Sequence, residues 1–263
     1  MGKFKIVIVG GGFAGIKTAL ELADDHRFSV TLISTLTSFR YYPTLYRAAT
    51  GGRRIIADIP LIEIFDDKNI KIINDEVIAV DREKRAIVTK VNHNIPYDAL
   101  VLAMGVRTNY FHIDGLEEFS YGIKSIEDAE KLKQHLHRQM IDDKCLDLNY
   151  VVVGGGPTGI ELAASLPAYI RKIADSHGIS CKKIHIDLVE AAPRLLPRMP
   201  KDVSRKVARH LRKLGIKLYL KTTVQAQTAD ALMVHDKPIR SHTVIWTAGV
   251  ANHPFFTDQG FQL

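Results

Sequence analysis

Residues 150–164, Tyr150-Val-Val-Val-Gly-Gly-Gly-Pro-Thr-Gly-Ile-Glu-Leu-Ala-Ala164, decide how this chain is read. Four apolar or aromatic residues run into a glycine triplet, and an apolar pattern of helical period follows at once. That order predicts a buried strand, a tight turn and a helix start, with Gly154, Gly156 and Gly159 at the G-x-G-x-x-G spacing. The first glycine permits the turn, the second lets backbone approach a pyrophosphate, and the third lets helix pack on strand. Pro157 and Thr158 lie between the second and third glycines as further cofactor-binding candidates, and the N–H groups free at the helix start favour an anion. A second copy opens the chain, Lys5 to Leu20 reading KIVIVGGGFAGIKTAL, with Gly10, Gly12 and Gly15 at the same spacing and Phe13 and Ala14 between them. A single motif of this kind is a weak signal, but two in strand-turn-helix context predict two dinucleotide sites and hence two cofactors that meet.

The 263 residues are enough for two domains. The net charge of +7 is spread among interleaved acids, which argues against a nucleic-acid surface and leaves a bias towards anionic ligands or lipid. No apolar run reaches the length of a membrane span, and the apolar run Ile6 to Val9 reads as a first strand rather than a signal peptide. Cys145 and Cys181 form no CxxC pattern, so no metal site, disulfide framework or redox pair is expected, and the cytoplasm is the default compartment.

Outward from the glycine turns, the first unit reads as strand Lys5 to Val9, helix Ala14 to Ala23 and strand Ser29 to Ile33, with Ser34 where a ribose ligand should fall. Thr35 to Gly52 is an aromatic, turn-rich loop suited to lining a pocket. Runs at Ile70 to Val80, Ala86 to Val91 and Ala99 to Ala103 predict a small antiparallel insertion that returns to a parallel strand, and Gly105 marks a turn at its carboxyl edge. Ser125 and Asp128 form a capping box for a helix with the stripe Ile126, Ala129, Leu132, Leu136 and Met140. The second unit continues as helix Gly159 to Leu166, a polar insertion Pro167 to Cys181, and strand Lys183 to Val189. Helix Val203 to Leu214, short strands near Lys217 to Leu220 and Leu232 to Val234, and His242 to Thr247 follow. The expected fold is α/β: two Rossmann-like dinucleotide-binding domains with parallel sheets, each with a small antiparallel β insertion. The first would span residues 1–112, with a return segment from about 251, and the second 113–250.

The pieces IVIVGGGFAG, YPTLYRAATGG, YDALVLAMGVRTNYF with IDGLEE, VVVGGGPTGIELA, LVEAAPRLLP and IWTAGV occur in an order that resembles the two-dinucleotide-binding flavoproteins, and within them type II NADH dehydrogenases. The resemblance implies FAD at the first turn, NAD at the second, hydride transfer from NADH to FAD, and a quinone-type acceptor. It further implies peripheral contact with the cytoplasmic face of a membrane through C-terminal helices, and it allows a homodimer. By resemblance, Tyr42 and Pro43 would wall the isoalloxazine, the backbone of Val77 would meet the adenine, and Ala103 and Gly105 would close the flavin side. Ala248 and Gly249 would form the nicotinamide-side turn. Each has a plainer alternative as core or turn. Glu161 reads either as a first-turn carboxylate that complements the helix dipole or as a catalytic group facing nicotinamide and flavin.

Two departures stand out. Ser34 has the right spacing and the wrong chemistry for a ribose ligand, whereas Glu190 has the right chemistry but lies further from Gly159 than the usual interval of about 20 residues. Glu190 favours NADH, with Arg194 and Arg198 keeping NADPH open. The family's late Gly-Asp element is missing from these residues, which reads as a fragment or a reduced form. Two alternatives follow: a non-catalytic NAD-binding module, or a reductase of the same superfamily with ferredoxin or another acceptor. The basic stretch Lys201 to Lys217 reads as a solvated outer face.

Overall fold

The computed structural model describes residues 2–53, 58–141, 149–179 and 184–262; Cys145 and Cys181 lie outside them. The chain divides into two compact units, one of residues Met1–Tyr41, Asp58–Arg107 and Ala251–Leu263, the other of Tyr42–Ala57 and Thr108–Val250.

In the first unit, the strand Phe4–Val9 pairs in parallel with Phe28–Ser34 on one side and Ala99–Leu102 on the other, and Ile70–Asn74 adds beyond Phe28–Ser34. Alternate faces of these strands bury separate clusters. Ile6, Ile8, Val30 and Leu32 pack with Ile16 and Ala19 of the helix Phe13–Ala23, while Val7, Val9 and Ile33 pack with Val77, Ile87 and Phe255. Strands buried on both faces read as continuous apolar runs, which is why FKIVIV is legible as a central strand.

The second unit repeats the plan with five parallel strands, in the order Ser120–Tyr121, Thr243–Trp246, Asn149–Val153, His185–Glu190, Lys217–Leu220. In both sheets the strand before the glycine turn lies between its sequential neighbour and a late-returning strand, so the strand order reverses at the turn. Ligands of open α/β sheets bind at that reversal, outside the carboxyl ends. Each unit also carries three antiparallel strands: Val77–Asp81, Ala86–Thr89 and His93–Pro96 in the first, Val224–Gln227, Ala231–Val234 and Lys237–Arg240 in the second.

Two expectations need correction. The expected strand Ile70 to Val80 is two strands: Ile70–Asn74 belongs to the parallel sheet, and only Val77–Asp81 belongs to the insertion. Asp75 makes the break, because its carboxylate accepts the backbone N–H of Glu76 at 2.7 Å, Val91 at 3.2 Å and Asn92 at 2.9 Å, and Asn92 Nδ2 at 2.8 Å. The second correction concerns the expected polar insertion after Leu166. The helix runs from Pro157 to Ser176 straight through Pro167. Proline removes one i→i−4 bond, but Leu162, Leu166, Tyr169, Ile170 and Ile173 keep one face buried across it, and packing outweighs the local penalty. Arg171 Nε meanwhile donates to the Pro167 carbonyl at 2.9 Å.

The capping box forms as read: Ser125 Oγ accepts from Asp128 N, and an Asp128 carboxylate oxygen accepts from Ser125 N, both at 3.0 Å. It starts the helix Ile126–Ile141, whose Ile126, Ala129, Leu132 and Leu136 are fully buried.

Candidate functional site

The two glycine turns have the same backbone. Gly10 and Gly154 take φ of +111° and +117°, a region that a side chain rarely adopts. A Cβ on Gly10 would strike the carbonyl of Ala103, and one on Gly154 would lie 2.6 Å from Thr247 Oγ1 and 3.0 Å from Ala248 backbone. The first glycine is therefore required by the returning strand as well as by the turn. The third glycines, Gly15 and Gly159, are buried where a Cβ would strike the carbonyl of Gly10 or Gly154.

The middle glycines behave differently. A Cβ on Gly12 or on Gly156 would meet nothing within 4 Å. Both are helix N-caps with extended backbone, and neither has a side chain to satisfy the N–H groups of the first turn behind it. Nothing in the fold demands glycine at these two positions. Open space at a helix N-terminus is what a pyrophosphate needs for close approach, so both turns fit a dinucleotide. Phe13 and Ala14, and Pro157 and Thr158, are exposed around the two openings.

At the next strand's end the units diverge. Glu190 Oε2 accepts Gly155 N at 2.5 Å and Oε1 accepts Ala192 N at 2.7 Å. A carboxylate has about four acceptor positions, so two remain for the hydroxyls of a ribose. Ser34 occupies the matching place beside the first turn: its Oγ would lie 2.8 Å from a Cβ on Gly11, and it accepts Leu36 N at 3.1 Å. One buried hydroxyl therefore stands where the second unit has a carboxylate. Glu190 reaches its place despite the long sequence interval because the helix it follows is 20 residues long.

Arg194 is not available to a 2′-phosphate in this arrangement. Its guanidinium donates to the carbonyls of Leu196, Pro197 and Met199 at 3.2, 2.5 and 2.8 Å and so ties the loop 194–199.

Glu161 is the fifth residue of its helix, and the first turn holds no acid, so the expected first-turn placement is corrected and the dipole reading loses its basis. The side chain is exposed. Partial desolvation holds its carboxyl above the ordinary carboxylate range, and the Arg47 guanidinium pulls the other way. Arg47 stands on the helix Leu45–Ala49, where Tyr46 Oη accepts its Nε at 3.0 Å.

Tyr42 and Pro43 form a single exposed 3-10 turn, Tyr42–Thr44, that groups with the second unit. Phe13, Phe39 and Tyr41 form an aromatic cluster beside the first glycine turn. Phe13 meets Phe39 edge-on at 4.8 Å between centroids and Tyr41 at 5.7 Å, and Phe13 is 50% exposed. An aromatic residue directly after a glycine triplet was the sequence signal for this cluster. Val77 is buried by its side chain, Gly105 takes φ +73° with open space beside it, and Gly249 is covered by the Phe111 ring, which a Cβ there would strike. Phe111 and His112 hold consecutive positive φ of 53° and 54°, a strained turn that no sequence pattern announced.

The comparisons with known proteins agree with this class of nucleotide-binding fold. Residues 4–263 match the model of the pyridine nucleotide-disulphide oxidoreductase family. A type II NADH:quinone oxidoreductase of Staphylococcus haemolyticus is 29% identical over 264 residues, covering 94% of this chain and 64% of that protein. The type II NADH:quinone oxidoreductase NdhA of Mycobacterium tuberculosis is 30% identical over 281 residues, covering 96% and 58%. Among solved structures, NDH2 from Plasmodium falciparum in complex with NADH superimposes with a TM-score of 0.86 at 23% identity, over 97% of this chain and 57% of that one. The chain belongs to the pyridine nucleotide-disulphide oxidoreductase family. It spans about three fifths of the length of these relatives.

Proposed function

We propose that this chain is the nucleotide-binding part of an NADH:quinone-type oxidoreductase that uses FAD, with FAD at the Gly10–Gly15 turn and NADH at the Gly154–Gly159 turn. The observation that carries the proposal is the pair of matched openings at Gly12 and Gly156, each at a strand-order reversal. When bound, a flavin supplies the two-electron acceptor for the hydride of NADH and the donor to a quinone. The residues of the chain position and tune. Gly156 admits the NADH pyrophosphate to the N–H groups of the helix Pro157–Ser176, and Glu190 takes the adenosine ribose hydroxyls. Gly12 does the same for FAD, with Ser34 as the ribose partner and the exposed Phe13 beside the opening. Ala103 and Gly105 continue the first turn's rim, Val77 offers backbone to the adenine, and Tyr42, Pro43, Ala248 and Gly249 serve the reacting rings. Glu161 holds or moves a proton during transfer, for which a raised carboxyl pKa is suited. A quinone as acceptor is supported by what the curated relatives are called. Peripheral contact with a membrane and a homodimer belong to the same reading. Among the described residues no helix is long and apolar enough to cross a membrane.

The test is the visible spectrum of the chain purified after expression with FAD. Flavin bands that bleach on anaerobic addition of NADH are expected. A colourless protein that still binds NADH would replace this reading with a non-catalytic nucleotide-binding module.

A further inference from the structure

The helix Lys201–Lys213 is amphipathic, with Ser204, Ala208 and Leu211 buried. Its solvent-exposed basic flank also borders an open cavity. Ser204, Arg205, Arg209, Arg212 and Lys213, together with Arg194 of the preceding loop, line a cavity of about 600 Å³. Among the described residues no carboxylate lines it. The helix's one acid, Asp202, pairs with Lys206 at 3.9 Å, and neither of them is in the lining.

Like charges held together cost free energy unless something neutralises them. Among the described residues Arg205, Arg209, Arg212 and Lys213 make no ion pair, and Ser204, only 4% exposed, makes no side-chain hydrogen bond. Positions 205, 209, 212 and 213 lie on one helical face and extend over about 12 Å at about 1.5 Å rise per residue. Three of the four are arginines, whose planar forks match phosphate oxygens two at a time. The middle residues of neither glycine turn line the cavity, and Arg194 is already committed to loop carbonyls.

We propose that this cavity is a second anion site, separate from both dinucleotide turns, which takes a soluble ligand with several phosphates in a row. Arg205, Arg209, Arg212 and Lys213 neutralise the phosphates, and the Ser204 hydroxyl donates from the floor. Leu195 lines the same cavity and also lies against the Gly155 turn, where a Cβ would sit 2.8 Å from Leu195 Cδ2, so an occupied cavity would steady the loop that follows Glu190.

Titration calorimetry with inorganic triphosphate tests it. Saturable binding of one triphosphate per chain is expected, weakening with added salt. Arg209→Gln and Arg212→Gln should each lose about tenfold in affinity or more, and Arg209→Lys less. Unchanged circular dichroism and unchanged NADH binding in these variants would exclude misfolding as the cause. No saturable binding, equal affinity in the glutamine variants, or displacement of triphosphate by NADH would each overturn the proposal. Binding to phosphatidylglycerol vesicles without binding of triphosphate would overturn it too, since the face would then be a lipid surface.

Discussion

Six glycines at identical spacing divide by what surrounds them. Gly156 sits at φ −80° in extended backbone, which alanine adopts freely, with nothing for its methyl to touch. Gly156→Ala is expected to leave the thermal midpoint unchanged and to weaken NADH binding by on the order of tenfold, or about 1.4 kcal/mol, because the methyl enters phosphate space. Gly159→Ala should do the opposite. Its methyl would be forced against the Gly154 carbonyl and 2.7 Å from Thr247 Oγ1, destabilising the fold by roughly 1–3 kcal/mol. Paired melting curves and NADH titrations read both, and equal behaviour of the two variants would remove the ligand from the explanation. Glu161 is the residue to which the proposed function assigns the proton. Glu161→Gln keeps the size and removes the titration, so turnover with a quinone should fall by on the order of a hundredfold while NADH affinity holds. Because the carboxyl keeps its proton to higher pH than an ordinary glutamate, the variant should also lose one ionisation from the pH–rate profile. Unchanged flavin reduction and acceptor turnover would make Glu161 a bystander.

Elements of this chain were legible where pattern and packing agree. FKIVIV and NYVVV are buried on both faces and could be nothing but central strands, and the Ser125–Asp128 capping box marks its helix start by residue type alone. Two boundaries were not legible. Pro167 carries a strong local signal to stop, and only the buried stripe on both sides of it shows that the helix continues. Asp75 carries a weak turn signal, yet it divides one apparent strand into two that serve different sheets. Its partners at Val91 and Asn92 are 16 and 17 residues away, beyond any local window. Burial opposes ionisation of Asp75, but the N–H donors of Asn92 and Glu76 outweigh it, and the carboxyl lies well below its ordinary range. A carboxyl with a depressed native pKa contributes stability that is present above the unfolded value, about 4, and lost as pH falls through the native one. Asp75→Asn is therefore expected to lower the thermal midpoint at pH 7, and the difference from the parent should shrink as the pH is taken below about 4. A difference that does not change with pH would mean that the side chain acts by shape alone.

Across the whole molecule the repeated plan carries an asymmetry. The second unit presents Glu190, a carboxylate with acceptor capacity left over, and commits Arg194 to its own loop. A 2′-phosphate there would meet negative charge and no free guanidinium from Arg194, so kcat/KM should favour NADH over NADPH by tenfold or more, about 1.4 kcal/mol in transition-state terms. Equal efficiencies in steady-state kinetics would sink that assignment. By itself the sequence determined the fold class, the two glycine turns and the strand ends at Ser34 and Glu190. These rest on local rules: apolar runs bury, and glycine spacing follows from the geometry of a strand-to-helix turn. Only the tertiary structure decided which glycines are required by the fold and which leave room for a ligand, because that depends on the late-returning strands at Ala103 and Thr247. It also decided that Arg194 is spent on its loop, and that the exposed basic flank of the helix Lys201–Lys213 borders an open cavity. Those outcomes depend on partners that the chain brings together only after folding.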